Sequence, residues 1–309
     1  MDDNFFSLEL RGFRKKLGFT QQEMVDFIRD SNPCYFDKLD VVSFHRWESG
    51  RVKPSIFRQA KILETLGKDT LIKRLSKSKS EMVIDYFESY ATGRYDSINN
   101  LDLVYLDKSK IYSFDNKGLS DYPVQLIDFQ ERIIGTENPD EYFKVLEELS
   151  SFTGFTTYCN KHNIYCGHLT YMSLPKKNVD IGHNIVEPYM MSDNEDNYLF
   201  IPCMYASEKN IFFHQIIKVI EMLYFFPEIT EVYFRIYDSK LMTMFDKVFN
   251  THVSCKGELY SNGIKLGASK YKWVGLGVDS TSMKLAYEGV KNLTEKHSDK
   301  VIDLVRKCC

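Results

Sequence analysis

No run of apolar residues in this chain is long enough to cross a bilayer. The most apolar tract, residues 216–226, is interrupted by Lys218 and Glu221, whereas a spanning helix needs about 20 predominantly apolar residues. The opening Met1-Asp2-Asp3-Asn4 is acidic and no long apolar run follows it, so no secretory signal peptide is expected. These absences lead to the expectation of a soluble, cytoplasmic protein with no membrane partner. A CxxC motif is also missing. The seven cysteines stand at positions 34, 159, 166, 203, 255, 308 and 309, which excludes zinc-ribbon and thioredoxin-like arrangements. Cys159, Cys166 and His168 would face one another across a hairpin, but their spacing fits no zinc pattern. Buried, reduced thiols are the better account, and no metal is expected. Cys308-Cys309 is either an oxidisable pair or a tail without a role.

What the chain does have is size and patterning. At 309 residues it exceeds one small domain and suits two or three. A hydrophobic content of 43% with regular apolar spacing excludes disorder. Charge is spread unevenly. Residues 1–80 hold 16 Lys/Arg against 11 Asp/Glu, a net +5, and the remainder holds 24 against 32, a net −8. The basic end suits phosphate neutralisation, and the acidic remainder would be repelled by nucleic acid.

An ordered motif occupies that basic end. Thr20 is placed to cap a helix carrying Met24, Phe27 and Ile28 at helical spacing. A second helix, Phe44-His45-Arg46-Trp47-Glu48, closes at Gly50, where positive φ is needed, and Pro54 opens the next segment. With Leu10-Arg11, Arg14, Phe19-Thr20-Gln21 and Ala60-Lys61-Ile62-Leu63, residues 6–75 resemble the Xre/Cro family of helix-turn-helix repressor domains. The resemblance implies binding of double-stranded DNA by a homodimer, with the second helix in the major groove. On that pattern Ser43, His45 and Arg46 face the groove, with Arg46 suited to a bidentate guanine contact. Val42 reaches a thymine methyl, Arg51 and Lys53 hold the backbone, and Gln21 fixes a phosphate or a neighbouring side chain. Phe44, Trp47 and Ile62 are expected in the core, and Glu48 in a structural pairing with a basic residue. One departure stands out: residues 29–39 are much longer than the family's usual turn between the two helices.

Ser76-Lys77-Ser78-Lys79-Ser80 reads as a solvated linker, followed by a helix over residues 81–91 and strand-like pairs over 101–114. The pattern then becomes mixed. A strand is expected at 124–129, a helix from Asn138-Pro139-Asp140, and strands at 156–159 and 165–174 joined by a turn at 160–163. Further strands at 198–205 and 229–236 are followed by helices at 210–225 and 240–249. A β-rich stretch spans 253–278, with turns at Ser261-Asn262-Gly263 and Gly267. A closing helix is read over 281–306, its apolar stripe serving either as a dimer seam or as packing on its own domain. That order, with Gly167, the strand-to-helix step at 201–217 and Arg235-Ile236-Tyr237-Asp238, resembles the GNAT acetyltransferase fold over residues 122–278.

The expectation is therefore a multidomain chain. An all-α helix-turn-helix domain covers residues 1–75, linking elements cover 76–121, and an α/β (α+β) GNAT-like domain with a C-terminal helix covers 122–309. In the GNAT family the acyl-CoA pyrophosphate rests on backbone N–H groups in a glycine-bearing loop, "Q/R-x-x-G-x-G/A", at a helix N-terminus. Here Ala206-Ser207-Glu208-Lys209-Asn210-Ile211-Phe212 lacks both glycines, leaving Ser207, Lys209 and Asn210 as weak candidates for acyl-CoA contact. The family's leaving-group tyrosine is replaced by Phe245, with Tyr237 nearby. Glu187, Glu195 and Asp196 are candidate bases or a solvated acidic loop, and His183 and His214 are read as non-catalytic. No catalytic residue and no cofactor are assigned, acyl-CoA standing as an alternative. The leading reading is a transcription regulator whose second domain senses a small molecule, contacts a protein effector or dimerises. An acyl-CoA-dependent N-acyltransferase with an autoregulatory DNA-binding end is the alternative, and a protein-interaction control factor is the third.

Overall fold

The computed structural model describes residues 4–96, 111–117, 123, 139–160, 165–175, 197–297 and 302–304. The strand read at 124–129, most of the 160–163 turn, Glu187, Glu195, Asp196, His183 and Cys308-Cys309 lie outside the described residues. The chain divides into two compact units, Met1–Ser78 and Lys79–Cys309.

The first unit is helical, with α1 Phe5–Leu17, α2 Gln21–Ser31, α3 Pro33–Phe36, α4 Val41–Glu48, α5 Ile56–Thr65 and α6 Asp69–Ser76. Phe6, Leu10, Met24, Ile28, Phe44, Trp47 and Ile62 form its core, one apolar stripe from each of four helices turned inward. The long segment between α2 and α4 is not a loose insertion. It folds into α3, started by Pro33 at its first turn, and sends Phe36 and Leu39 into the same core. The serine-lysine run read as a solvated linker is helical: α6 continues to Ser76, a 3-10 turn covers Lys77–Lys79, and the Ser76 and Ser78 hydroxyls donate to the Lys73 and Leu75 carbonyls.

The second unit is mixed α/β, built on a large sheet. Its elements are α7 Ser80–Tyr95, β1 Ile111–Lys117, α8 Pro139–Leu149, β2 Phe152–Asn160, β3 Tyr165–Pro175, β4 Asn197–Ala206, α9 Lys209–Phe225, β5 Glu231–Ile236, α10 Ser239–Val248 and β6 Thr251–Lys256. They continue with β7 Leu259–Leu266, β8 Ser269–Tyr271, β9 Val274–Asp279, α11 Ser280–Lys284, α12 Tyr287–Lys296 and β10 Ile302–Leu304. Eight strands pair in the order β10-β1-β2-β3-β4-β5-β9-β6, and β7 and β8 form a separate two-stranded sheet. α9 is apolar almost all round and packs its Ile211, Phe212, Phe213, Ile216 and Ile220 into the main core, as a helix covered on most faces must.

Two expectations are corrected here. The closing helix is not continuous over 281–306. It breaks at Leu285–Ala286, between α11 and α12, where the Lys284 carbonyl accepts from the Tyr224 hydroxyl (3.2 Å). Its last residues, Ile302–Leu304, form β10, parallel to β1. The stripe is not a free seam either: Met283, Val290 and Leu293 are buried in the unit's own core. The turn read at Ser261-Asn262-Gly263 lies inside β7, where the register with β8 slips, and the chain reverses only after Leu266.

Candidate functional site

Two places concentrate chemistry, one in each unit. In the first unit, α2 is fixed by a capping box. Thr20 Oγ1 accepts from the Glu23 amide at 3.2 Å, and Glu23 Oε2 accepts from the Thr20 amide at 2.7 Å. α4 is capped by Asp40, whose Oδ1 accepts from the Ser43 amide at 2.6 Å. That bond lowers the Asp40 pKa against the opposing effect of desolvation. At the other end Gly50 has φ +73, the left-handed region open to glycine.

One face of α4 is spent on packing, with Phe44 and Trp47 buried. The opposite face is exposed. Val42 is 56% exposed, His45 and Arg46 are exposed and Ser43 is half-buried, with Arg51 and Lys53 exposed just beyond the helix. Gln21 is held by its neighbours. Its Nε2 donates to Glu48 Oε2 at 2.6 Å and lies 3.2 Å from His45 Nδ1.

Glu48 holds the motif together. It is only 4% exposed, receives Arg14 Nε on Oε1 at 2.6 Å and Gln21 on Oε2, and its carbonyl accepts from Arg11 at 3.1 Å. Arg14 also donates to the Phe19 carbonyl at 2.9 Å. Burial pushes the Glu48 pKa up, but the Arg14 and Gln21 hydrogen bonds and the charges of Arg14 and Arg11 outweigh it, leaving the carboxyl below its usual value. Arg11 and Arg14 were legible as part of the motif, but their convergence on one carboxylate was not.

The second place is a cleft in the sheet. β4 and β5 pair in parallel only at Leu199↔Val232, Phe200↔Tyr233 and Ile201↔Phe234. The ladder stops where Pro202 follows, a residue with no N–H to donate. On its other side β4 bulges, since Thr170↔Cys203 and Met172↔Phe200 leave two β4 residues against one of β3. Past this point the strands diverge and open a cleft of about 140 Å³, closed over by α7. Pro202 was the sequence signal for it, since proline inside a strand marks an edge or a bulge.

The three weak cofactor candidates lie beside this cleft, at the start of α9. Ser207 and Asn210 are buried, with Ser207 Oγ and Asn210 Nδ2 lacking a hydrogen-bond partner. Lys209 is ion-paired with Asp96 at 2.8 Å. Phe212 is buried in an aromatic cluster, its ring 5.2 Å from Tyr90 and 6.1 Å from Tyr95. Tyr90 also donates to Asp238 Oδ2 at 3.2 Å, and burial raises the pKa of both tyrosines, keeping them protonated. Tyr237 lines the cleft, whereas Phe245 is wholly buried against Phe234 and Phe249.

As arranged, these residues do not fit acyl-CoA. Phe212, Tyr90 and Tyr95 pack ring against ring beside the start of α9, and Asp96 neutralises Lys209, the candidate for a pyrophosphate contact. His214 is satisfied by Tyr158 at 2.9 Å. His168 Nε2 lies 2.9 Å from Cys203 Sγ. Burial pushes His168 down to about 4 and Cys203 up to about 12, so both are neutral. Among the described residues no group of His, Cys, Asp or Glu could hold a metal ion, and no helix is long and apolar enough to cross a membrane.

No protein-family model matches this chain and no curated protein matches it. Solved structures give distant likenesses. Arabidopsis thaliana NAA60 in complex with acetyl-CoA is 13% identical, with 54% of this chain and 98% of that one covered and a TM-score of 0.35. The acyl-homoserine lactone (AHL) synthase LasI is 8% identical, with 59% and 96% covered and a TM-score of 0.36. BjaI, a CoA-dependent acyl-homoserine lactone synthase solved with SAM and isopentyl-CoA, is 10% identical, with 59% and 90% covered and a TM-score of 0.33. At this level of similarity none of them bears on what the chain does.

Proposed function

We propose that the chain is a sequence-specific DNA-binding transcription regulator, acting as a homodimer, whose second unit responds to a small molecule or a protein partner. The observation that carries this reading is the division of labour on α4. Its inner face is locked by Phe44, Trp47 and Glu48, and its outer face offers Val42, Ser43, His45 and Arg46 with Arg51 and Lys53 alongside. In this reading α4 enters the major groove, Arg46 reads a guanine edge, and Arg51 and Lys53 contact phosphates. Gln21 orients His45 rather than reaching DNA alone. Selection of binding sequences from a random duplex pool, followed by anisotropy titration, tests it. Failure to enrich any sequence, with no salt-dependent binding, defeats it.

A second reading is supported by a different observation. The parallel β4–β5 pair that diverges at Pro202, with the start of α9 beside the opening, is the arrangement a GNAT-like acyltransferase would use for acyl-CoA. The orphaned polar atoms of Ser207 and Asn210 also stand there. It requires the Tyr90 and Tyr95 side chains to move out. Calorimetric titration of acetyl-CoA and octanoyl-CoA into the full chain decides between them: micromolar binding favours the enzyme, and no heat leaves the regulator.

A further inference from the structure

Resting on the sensor half of the regulator reading, we infer that the cleft between β4 and β5 binds a small neutral aromatic molecule of phenol size that brings one hydrogen-bond donor. Size sets the first limit. A cleft of about 140 Å³ matches the roughly 150 Å³ apolar cavity known to take benzene and is far below the volume of a coenzyme. Shape and polarity set the second. Ile201, Phe234 and Ile236 supply buried apolar wall, and Phe212, Tyr90 and Tyr95 supply ring faces and edges, which suit a planar aromatic guest.

The donor requirement comes from Gln215, which lines the cleft and is 0% exposed. Its Nε2 donates to the His168 carbonyl at 3.0 Å and the Tyr205 carbonyl at 2.7 Å. Two carbonyl acceptors on one atom fix that atom as the nitrogen and fix the amide's orientation. Oε1 is then left as a buried acceptor with no partner, a costly state that a ligand O–H or N–H relieves. An anionic head would meet this carbonyl oxygen with the wrong charge, Asp238 stands on the same wall, and the two cations of the lining, Arg94 and Arg235, lie over the Tyr95 ring (5.6 Å) and the Trp273 ring (4.5 Å). Nothing in the acyl-CoA reading uses Gln215, so the site does not depend on that activity.

Calorimetry with phenol, benzene and benzoate on the full chain tests the inference. Phenol is expected to bind, benzene to bind about tenfold more weakly for want of one hydrogen bond, and benzoate to bind more weakly than phenol. Leu241→Trp, at a half-buried wall position, is expected to abolish phenol binding while circular dichroism stays native. Phenol and benzene binding equally, benzoate binding more tightly than phenol, or no phenol binding by the unmodified chain overturns the inference. The comparison of probes on the unmodified chain stands even where the variant misfolds. Anisotropy on a selected duplex with and without phenol separates the two levels. Phenol binding without any change in DNA affinity keeps the site and defeats the sensor reading, and DNA binding with no phenol binding defeats the site alone.

Discussion

Gln21, the first residue of α2, and Glu48, the last residue of α4, are joined by a 2.6 Å hydrogen bond across the first unit. The same carboxylate takes Arg14 from α1 at 2.6 Å, so one side chain fixes three helices relative to one another. Because Gln21 also reaches His45, the clamp extends to the exposed face of α4. A nearly buried acid is normally a liability, and it is tolerated here because every lone-pair direction that matters is met by a donor.

Glu48→Gln should therefore be strongly destabilising for the first unit. It keeps the shape, removes the charge that pairs with Arg14 and turns one acceptor into a donor facing Gln21 and Arg14. The expected loss is about 3 kcal/mol, the scale of a mostly buried ion pair broken on one side. Trp47 and Trp273 are the chain's two tryptophans and lie in different units. Urea unfolding followed by Trp47 fluorescence in a Trp273→Phe background reads the first unit alone. An unchanged midpoint would show that the clamp contributes nothing.

Acid should undo the same clamp. The Glu48 pKa is lowered on folding, so the unfolded state takes up the proton first as pH falls. The stabilisation is fully present above the ordinary glutamate value, about 4.3, and is lost as pH drops through the depressed folded value. The first unit's unfolding midpoint should hold from pH 7 to about 5 and fall below that, while Glu48→Gln should show a visibly flatter acid limb. Parallel acid limbs in the two proteins would assign the effect to other carboxylates.

Much of the first unit was legible because its signals are local. Thr20, Gly50 and Pro54 mark boundaries through their own backbone chemistry, and Phe44, Trp47 and Ile62 fall into the core by spacing alone. In the second unit, strands β2 to β5 and helices α8 to α10 follow from apolar patterning in the same way. What the sequence hid was non-local. The end of α11 is tied to a hydroxyl 60 residues away in the chain, and the closing of the cleft depends on α7 bringing Tyr90 and Tyr95 onto Phe212. Of the three weak cofactor candidates, Lys209 was compromised by Asp96, a partner 113 residues distant. The fit of Phe36 and Leu39 into the core was likewise invisible in a segment that read only as an overlong turn.

On the proposed regulator reading, Arg46 and the pair Arg51 and Lys53 should behave differently on DNA. Arg46→Ala should cost about 1–3 kcal/mol and relax preference at one base position, as loss of a bidentate guanine contact does. Arg51→Ala and Lys53→Ala should weaken binding to all sequences alike and each reduce the salt slope by about 1. Anisotropy titrations over a salt series, on a selected duplex and on single-base variants of it, distinguish the two patterns. A uniform loss for Arg46→Ala would move that residue to the phosphate backbone and leave base reading to His45 and Ser43.

Gly167 and Gly93 should respond to alanine with opposite signs, although both belong to the second unit. At Gly167 an added Cβ would lie 2.8 Å from Ile211 Cγ2 and 2.8 Å from the Tyr205 carbonyl oxygen. The side chain can give way, but the carbonyl is held in the β4 backbone and accepts from Gln215. The strain should pass into the α9 contact and cost about 1–3 kcal/mol, the usual penalty of overpacking. Gly93 sits near the end of α7, and an added Cβ there meets nothing within 4 Å. Gly93→Ala should gain about 0.5–1 kcal/mol, because alanine loses less backbone entropy in a helix. Urea unfolding read by Trp273 in a Trp47→Phe background measures both. Loss of stability at Gly93 would mean that the last turn of α7 does not hold its helical form, and with it the placement of Tyr95 over the cleft would fail.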